Sequence, residues 1–375
     1  MVGTSGHAQT IARLTSFAEV LAAMDSINPV APRAAEARAA CGRTLAADVT
    51  VAAARPQCAL ALHDGWAVLA ETTLDAGSYA PAMLAKPPLR IDVGEALPEG
   101  ADAVAALDTV VVRSGRAQVL APVAPGEGVL PAGADCAPAN PLRRAGERIR
   151  RADIAVFAAA GISRLSVREP RLRIVCAREK RDETLDAIFA FVAADIDARG
   201  AVIAADAIPD GQIEAAMRQE NADAIIVIGG TGSGRHDSSV QTLARAGRVG
   251  FHGIGLTPGE TAAFGFAGTR PVLLLPGRLD AALAVWLTVG RRMLARLAGC
   301  AEQEPVAMAT LARKLASTVG LAEFVPVRRN GESVEPLATK YLPLSALARA
   351  NGWILVPAES EGYPAGAQVP VRAWP

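Results

Sequence analysis

The stretch from Ile225 to Asp237, IIVIGGTGSGRHD, narrows more than any other what this chain can fold into. Ile225 to Ile228 are four consecutive β-favouring apolar residues, the composition of a strand buried on both faces of a parallel sheet. Small and hydroxyl residues follow at once: Gly229, Gly230, Thr231, Gly232, Ser233 and Gly234. Glycines without Cβ atoms let backbone N–H groups approach an anion, and Asp237 and Ser238 stand where they can cap a helix running through Val240 and Leu243 to Gly247. A tight strand-to-helix turn without any ligand uses the same residues, so the stretch has to be weighed with its neighbours. Two nucleotide motifs are excluded. A Walker loop ends in Gly-Lys-Ser/Thr, whereas Gly234 is followed by Arg235 and His236. A dinucleotide fingerprint needs a third glycine where Arg235 stands and an acidic residue about twenty positions on.

Alternation of strands and helices surrounds this stretch. Leu172 to Cys176 is expected as a strand, Glu183 to Gly200 as a helix and Ala201 to Ala205 as a strand. Asp210 is expected to cap a helix over Ile213 to Glu220. Strands at Gly250 to Leu256 and Pro271 to Leu275 then precede a long helix from Asp280 to Leu297. Such alternation implies a parallel sheet with helices on both faces, whose ligands bind at the carboxyl edge. Pro276-Gly277-Arg278 therefore belongs beside the glycine-rich stretch, and Arg278 adds a positive charge there.

The flanks differ in character. Ser16, with Glu19 three positions on, predicts a helix that Asn28-Pro29 ends, and Pro32 to Cys41 predicts a second helix closed by Gly42. Thr44 to Ala54 is extended and leads to His63-Asp64-Gly65-Trp66-Ala67-Val68, where Asp-Gly signals a hairpin turn. Short strands at Leu89–Val93, Ala103–Leu107, Val110–Val112 and Gln118–Ala121, spaced by Pro and Gly turns, form a β-rich insert lobe with Asp102 and Asp108 solvated at its turns. Past Gly299 strands return at Thr310–Ala312, Glu323–Val327, Glu335–Ala338, Gly352–Val356 and Gln368–Val371, with a helical piece at Leu344–Ala350. Together they are expected to make a small C-terminal β-barrel. The fold class is thus multidomain α/β plus β. Its expected segments are 1–54 and 139–170 for an interrupted linker domain, 55–75 and 76–138 for the insert lobe, 171–299 for the α/β domain and 300–375 for the barrel.

Composition excludes some partners. The 375 residues include 38 basic and 38 acidic side chains, so no charge footprint for nucleic acid or a membrane surface is present. Five scattered cysteines (Cys41, Cys58, Cys136, Cys176, Cys300) form no CxxC pair, which argues against a disulfide framework or a zinc site and suits a reducing compartment. No signal-peptide pattern or membrane-length apolar run occurs, and a cytoplasmic protein is expected.

Taken in order, the motifs resemble those of the molybdopterin molybdenumtransferase family, the MoeA and gephyrin E-domain group, along essentially the whole chain. His63-Asp64-Gly65-Trp66-Ala67 resembles the family's DGYA turn, and Leu97 to Val104 resembles its LPxGADAV stretch. Pro125-Gly126 and Arg143 to Glu147 are similar to the PG and G(E/D) segments that follow. Gly229 to Asp237 resembles GGVSVGxxD, Thr257-Pro258-Gly259-Glu260-Thr261 sits where PGKP belongs, and Leu275-Pro276-Gly277-Arg278 sits where LPGNP belongs.

The resemblance implies a homodimer with a MogA-like α/β domain that binds adenylylated molybdopterin, takes molybdate and, with Mg2+, releases AMP. It implies a pterin and phosphate site at Gly229, Gly230, Thr231, Gly232, Ser233, Gly234, Pro258, Gly259, Pro276 and Gly277. Asp64, Asp237 and Arg278 are the expected catalytic residues, the DGYA lobe reaching over the cleft from the partner subunit, and Asp237 and Glu179 the expected metal ligands. Expected partners are a molybdopterin-adenylyltransferase or a recipient molybdoenzyme. The chain also departs from the pattern. Ala177 to Glu183 replaces TGDEL, with Lys180 about where the family's glutamate stands and Glu179 the nearest acid. Glu260 replaces the PGKP lysine, and Asp108-Thr109 displaces a threonine of the insert lobe. Two readings stay open: a transferase in which Arg235 or Arg278 supplies the missing charge, or a carrier that binds the cofactor without inserting metal. A structural scaffold of the gephyrin kind is a third.

Overall fold

The computed structural model describes residues 9–205, 208–301 and 305–375. The chain divides into two compact units. The first comprises the residues up to Ala47, Ala145–Ala155 and Ser163 onward, and the second Asp48–Arg144 with Val156–Ile162.

In the first unit, α1 (Phe17–Asp25) opens on the expected capping box: the Ser16 hydroxyl accepts from Glu19 N at 3.3 Å, and Glu19 Oε2 accepts from Ser16 N at 3.1 Å. Phe17, Val20 and Met24 bury its apolar face. The helix expected over Pro32 to Cys41 is not formed. Arg33–Glu36 is a strand antiparallel to Arg164–Arg168, followed by a 3-10 turn at Ala37–Ala39. The alanine-rich sequence favours a helix locally, but pairing with a segment far along the chain decides the outcome.

The α/β domain contains β1 (Arg171–Cys176), α2 (Glu183–Ala198), β2 (Val202–Ile203), α3 (Ile213–Arg218), β3 (Ala224–Ile228), α4 (Ser239–Ala246), β4 (Arg248–His252), β5 (Ala263–Ala267), β6 (Arg270–Leu275) and α5 (Leu279–Val285). A π-helical turn, Trp286–Gly290, joins α5 to α6 (Arg291–Ala298), so the long helix expected from Asp280 carries a bulge. The sheet order is β2-β1-β3-β6-β5-β4. Pairing is parallel from β2 through β6, whereas β5 and β4 are antiparallel. The expected parallel sheet is present and is extended at one edge by the antiparallel strands β5 and β4, since Gly268-Thr269 turns β5 directly into β6 and leaves no room for a crossover helix. Ile226 and Ile228 of β3 pack into one apolar layer, Ile225 and Val227 into the other, as a strand buried on both faces requires.

The π turn is seated by a buried polar knot. Asp195 on α2 accepts from Trp286 Nε1 at 2.8 Å, Arg291 Nε at 2.9 Å and Nη2 at 2.6 Å, and Arg199 Nε at 3.2 Å. Burial opposes the charged carboxylate, but the bonds from Arg291 and Trp286 and the charges of Arg291 and Arg199 together hold Asp195 below its ordinary pKa.

The expected barrel is present. Strands β7 (Val306–Leu311), β8 (Ala322–Asn330), β9 (Ser333–Pro336), β10 (Gly352–Val356) and β11 (Gln368–Ala373) close in the cyclic order β8-β9-β7-β11-β10. A short strand, Leu256–Thr257, runs parallel to the start of β8 and delivers Pro258-Gly259-Glu260 from beside the barrel.

The second unit has two three-stranded sheets, Leu89–Ile91/Gly65–Val68/Ala103–Ala106 and Ala82–Leu84/Arg116–Val119/Val110–Arg113. Only His63 and Asp64 form the expected bend: Gly65–Val68 is a central strand, because a Cβ at Gly65 would lie 2.3 Å from the Ala105 carbonyl and only glycine fits the pairing. Among the described residues no helix is long and apolar enough to cross a membrane.

Candidate functional site

Backbone hydrogen bonding after β3 defines the site. Gly229 N continues the sheet by donating to Leu275 O at 2.8 Å, and positive φ at Gly229 (87°) and Gly230 (69°) turns the chain out of the strand. The loop's carbonyls are then taken one after another. Ser239 Oγ donates to Gly229 O at 2.8 Å, and Ser239 N to Gly230 O at 3.1 Å. Gln9 Nε2 donates to both Gly230 O and Gly232 O, each at 2.7 Å. His252 Nε2 donates to Thr231 O at 2.9 Å, which fixes the proton on that nitrogen. By contrast, the N–H groups of Gly230, Thr231, Gly232 and Ser233 have no hydrogen-bond partner among the described residues. A loop whose carbonyls are tied back and whose successive amides are left open has the form of an anion nest.

Asp237 has a different role from the expected helix cap. Its Oδ2 accepts from Gly234 N at 3.0 Å and would lie 2.8 Å from a Cβ on Gly232, so it braces the loop from within. Ser238 takes the N-cap position of α4 without a side-chain bond.

Two further loops adjoin the nest. Gly277 and Gly229 approach so closely that a Cβ on Gly277 would stand 3.5 Å from Gly229 Cα, which brings Pro276-Gly277 beside the cradle. The Pro258–Thr261 loop is tied to it by the Thr231 and Thr261 hydroxyls, 3.0 Å apart. Gly259, at φ 138°, is required there because a Cβ would meet Val285 at 2.7 Å. Glu260 turns back so that its Oε2 accepts from Gly259 N at 3.1 Å.

Arg278 is at this edge, paired. Its Nε and Nη2 donate to the two oxygens of Asp280 at 3.1 and 2.6 Å, and its guanidinium stands 5.5 Å from the Tyr341 ring centre. The hydrogen bonds it donates to Asp280 raise the Arg278 pKa against the opposing effect of burial, and the charges of Asp280 and Glu260 add to it. Asp280 is 3% exposed and also accepts from Ala281 N and Leu342 N. Arg235 is exposed on the loop itself.

The segment replacing TGDEL is tied to its surroundings through Arg181 and Asp182. Arg181 pairs with Asp210 at 2.5 Å and Asp186 at 3.7 Å, and its guanidinium lies 3.8 Å from the Phe189 ring centre. Asp210 does not cap α3 as expected: it accepts from Cys176 N at 2.9 Å and from Arg181, because β1 ends beside it. Asp182 caps α2 instead, accepting from Leu185 N at 2.9 Å. Burial first, and then the Asp210 charge, push the Cys176 thiol up to about 12. Glu179 lies against Gly211, 2.8 Å from where that residue's Cβ would be. Among the described residues no three His, Cys, Asp or Glu side chains converge on a metal position. Asp64, in the second unit, accepts from Val93 N at 2.8 Å.

The structure thus brings together Gly229 to Gly234, Asp237, Pro276, Gly277, Pro258 and Gly259, with Arg278 bordering them. Sequence reasoning missed Gln9, Ser239, His252, Thr261 and Asp280. Only Asp280, an acid two positions after Arg278, left a local signal.

Three family models cover most of the chain: the MoeA N-terminal region (domain I and II) over residues 14–161, a probable molybdopterin binding domain over 172–296 and the MoeA C-terminal region (domain IV) over 308–374. A protein of Methanocaldococcus jannaschii named for molybdopterin biosynthesis is 27% identical over 375 residues, spanning 88% of this chain and 89% of its own. Molybdopterin molybdenumtransferase 1 of Mycobacterium tuberculosis is 26% identical over 332 residues, 80% of this chain and 77% of that one. The crystal structure of the molybdopterin biosynthesis MoeA protein from Pyrococcus horikoshii OT3 has the same fold, with a TM-score of 0.78 at 23% identity over 96% of this chain and all of that one. With family models matched in order from residue 14 to residue 374 and that fold throughout, the chain belongs to the MoeA family of molybdopterin molybdenumtransferases.

Proposed function

We propose that this protein acts in molybdenum cofactor biosynthesis, holding adenylylated molybdopterin with a phosphate in the Gly229–Gly234 nest and transferring molybdenum from molybdate to the dithiolene, with release of AMP. The observation that carries the reading is the set of four amides, Gly230 to Ser233, facing away from carbonyls that are all engaged. An anionic phosphate satisfies such amides, and glycine leaves room for it. Magnesium suits a site with one carboxylate because it binds chiefly through substrate phosphates and water, neutralising charge as the phosphate departs. Asp237 would hold it from the loop, and Glu179 is the second ligand to test. We further propose a cytoplasmic homodimer that receives its ligand from an adenylyltransferase and passes product to a molybdoenzyme.

A second reading, cofactor carriage without metal insertion, is favoured by one observation: Arg278 is spent on Asp280 while Glu260 stands in the same field. Calorimetric titration with adenylylated molybdopterin, followed by magnesium and molybdate with AMP measured by chromatography, separates the two. Binding with molybdate-dependent AMP release establishes the transferase; binding without release establishes the carrier; no binding refutes both. Asp64→Asn in the same assay tests the catalytic assignment of Asp64, which full turnover would overturn.

A further inference from the structure

We infer that Gln9 is the positioning residue that presets the anion nest, an inference that rests on the phosphate-binding reading of the Gly229–Gly234 loop. Gln9 is far from the loop in sequence, yet its single carboxamide nitrogen spends both hydrogens there, on Gly230 O and Gly232 O at 2.7 Å each. Those two carbonyls flank Thr231. Fixing both in one direction fixes the peptide planes Gly230–Thr231 and Gly232–Ser233, and so turns the Thr231 and Ser233 amides to the opposite side. No backbone group ties both carbonyls: Gly232 O has Gln9 as its partner among the described residues, and Gly230 O also receives Ser239 N.

The side chain's surroundings support a role in the loop over a role in packing. Gln9 is 6% exposed, and its Oε1 is buried without a partner among the described residues. A buried unmatched acceptor carries a desolvation cost that an apolar side chain of the same size avoids. The amide orientation follows from chemistry, since a flipped carboxamide would place oxygen against two carbonyls. The segment is anchored beyond the side chain as well: Thr15 N donates to Gly253 O at 3.0 Å, Gly255 N donates to Thr15 O at 2.7 Å, and Ile11 packs where a Cβ on Gly253 would be, at 2.5 Å. The strap is held by the segment between β4 and the Pro258 loop, so Gln9 reaches the nest from a fixed base.

The test is calorimetric titration of AMP and, separately, inorganic phosphate into the full chain and its Gln9→Ala and Gln9→Met variants, with thermal unfolding alongside. Methionine keeps the length and fills the space but donates nothing. The expected result is that both variants bind AMP at least tenfold more weakly than the parent, with unfolding midpoints close to it. A Met variant that binds like the parent overturns the inference, because filling space would then suffice; so does an Ala variant with unchanged affinity. If the folded parent binds neither AMP nor phosphate, the phosphate-binding reading of the loop fails, and the inference fails with it.

Discussion

Gly230→Ala separates the cradle's geometry from ordinary turn strain. Gly230 has φ 69°, and an alanine Cβ there would stand 2.3 Å from Ser239 Oγ and 3.0 Å from Ala177 Cβ. The left-handed conformation costs a non-glycine residue about 1–2 kcal/mol. Ser239 escapes only by rotating away from Gly229 O, which loses a buried hydrogen bond of about 0.5–1.5 kcal/mol. Together these come to about 1.5–3.5 kcal/mol, a fall of roughly 3–14 °C in unfolding midpoint for a domain of this size class. Gly268 is the matched control: its φ is 61°, and nothing lies within 4 Å of where its Cβ would be. Gly268→Ala should therefore cost about 1–2 kcal/mol from conformation alone. Thermal unfolding and AMP titration of both variants give the readout. Gly230→Ala should lose AMP binding and the larger share of stability, and Gly268→Ala should bind as the parent does. Equal midpoints, or undiminished AMP binding by Gly230→Ala, would refute the claim that close packing against Ser239 shapes the nest.

Three other outcomes follow from the same structure. Arg278→Glu should abolish molybdate-dependent AMP release while AMP affinity falls no more than about threefold; parallel loss of both would place Arg278 in the phosphate site instead. Asp195→Asn removes one partner of a buried ion pair and should destabilise the protein by about 3–5 kcal/mol at pH 7. Because the folded pKa of Asp195 is depressed, its contribution is full above the ordinary carboxylate range and is lost as pH falls through the folded value, so the gap in unfolding midpoint between parent and variant should narrow below about pH 4; a gap that is constant with pH would contradict the ion-pair account. Cys176, buried and with its thiol at about 12, should resist a thiol reagent at pH 8 that labels exposed Cys41 and Cys58, and peptide mapping that finds Cys176 modified in the folded protein would refute its burial.

What was legible in the sequence was what local periodicity encodes. The strand Ala224–Ile228, the Ser16 capping box and the strand Gly352–Val356 fall where they were expected, because run length, capping residues and flanking glycines act within a few positions. Errors arose where distant segments decide. Arg33–Glu36 is a strand because Arg164–Arg168 pairs with it, and Ala263–Ala267 went unassigned because AFGFAG has no helix following it to suggest a β-α unit. The π turn needs Gly290, where a Cβ would enter the Trp286 ring at 2.3 Å, and a helical pattern gives no sign of that. The glycine nest was visible, but its construction was not: Gln9 and Gly230 are 221 positions apart, and a lone glutamine near a chain's start has no pattern to mark it.

The departures from the family's motifs share one physical consequence. Each cation near the carboxyl edge that pairs with protein is matched by a carboxylate of this chain: Arg181 with Asp210 and Asp186, Arg178 with Asp182 at 3.6 Å, Arg278 with Asp280. Glu260 adds negative charge in the field of Arg278. On the proposed function, the groups that would hold phosphate carry no charge: they are the amides of a loop whose carbonyls are tied by Gln9, Ser239 and His252. On that reading, binding through the amides and attraction of an incoming oxyanion fall to different groups, and the second set is the one that departs from the family's motifs. It follows that a variant restoring charge, Glu260→Lys, should leave AMP affinity nearly unchanged and raise molybdate-dependent AMP release. An equal gain in both would mean that the nest and the oxyanion position are electrostatically one site.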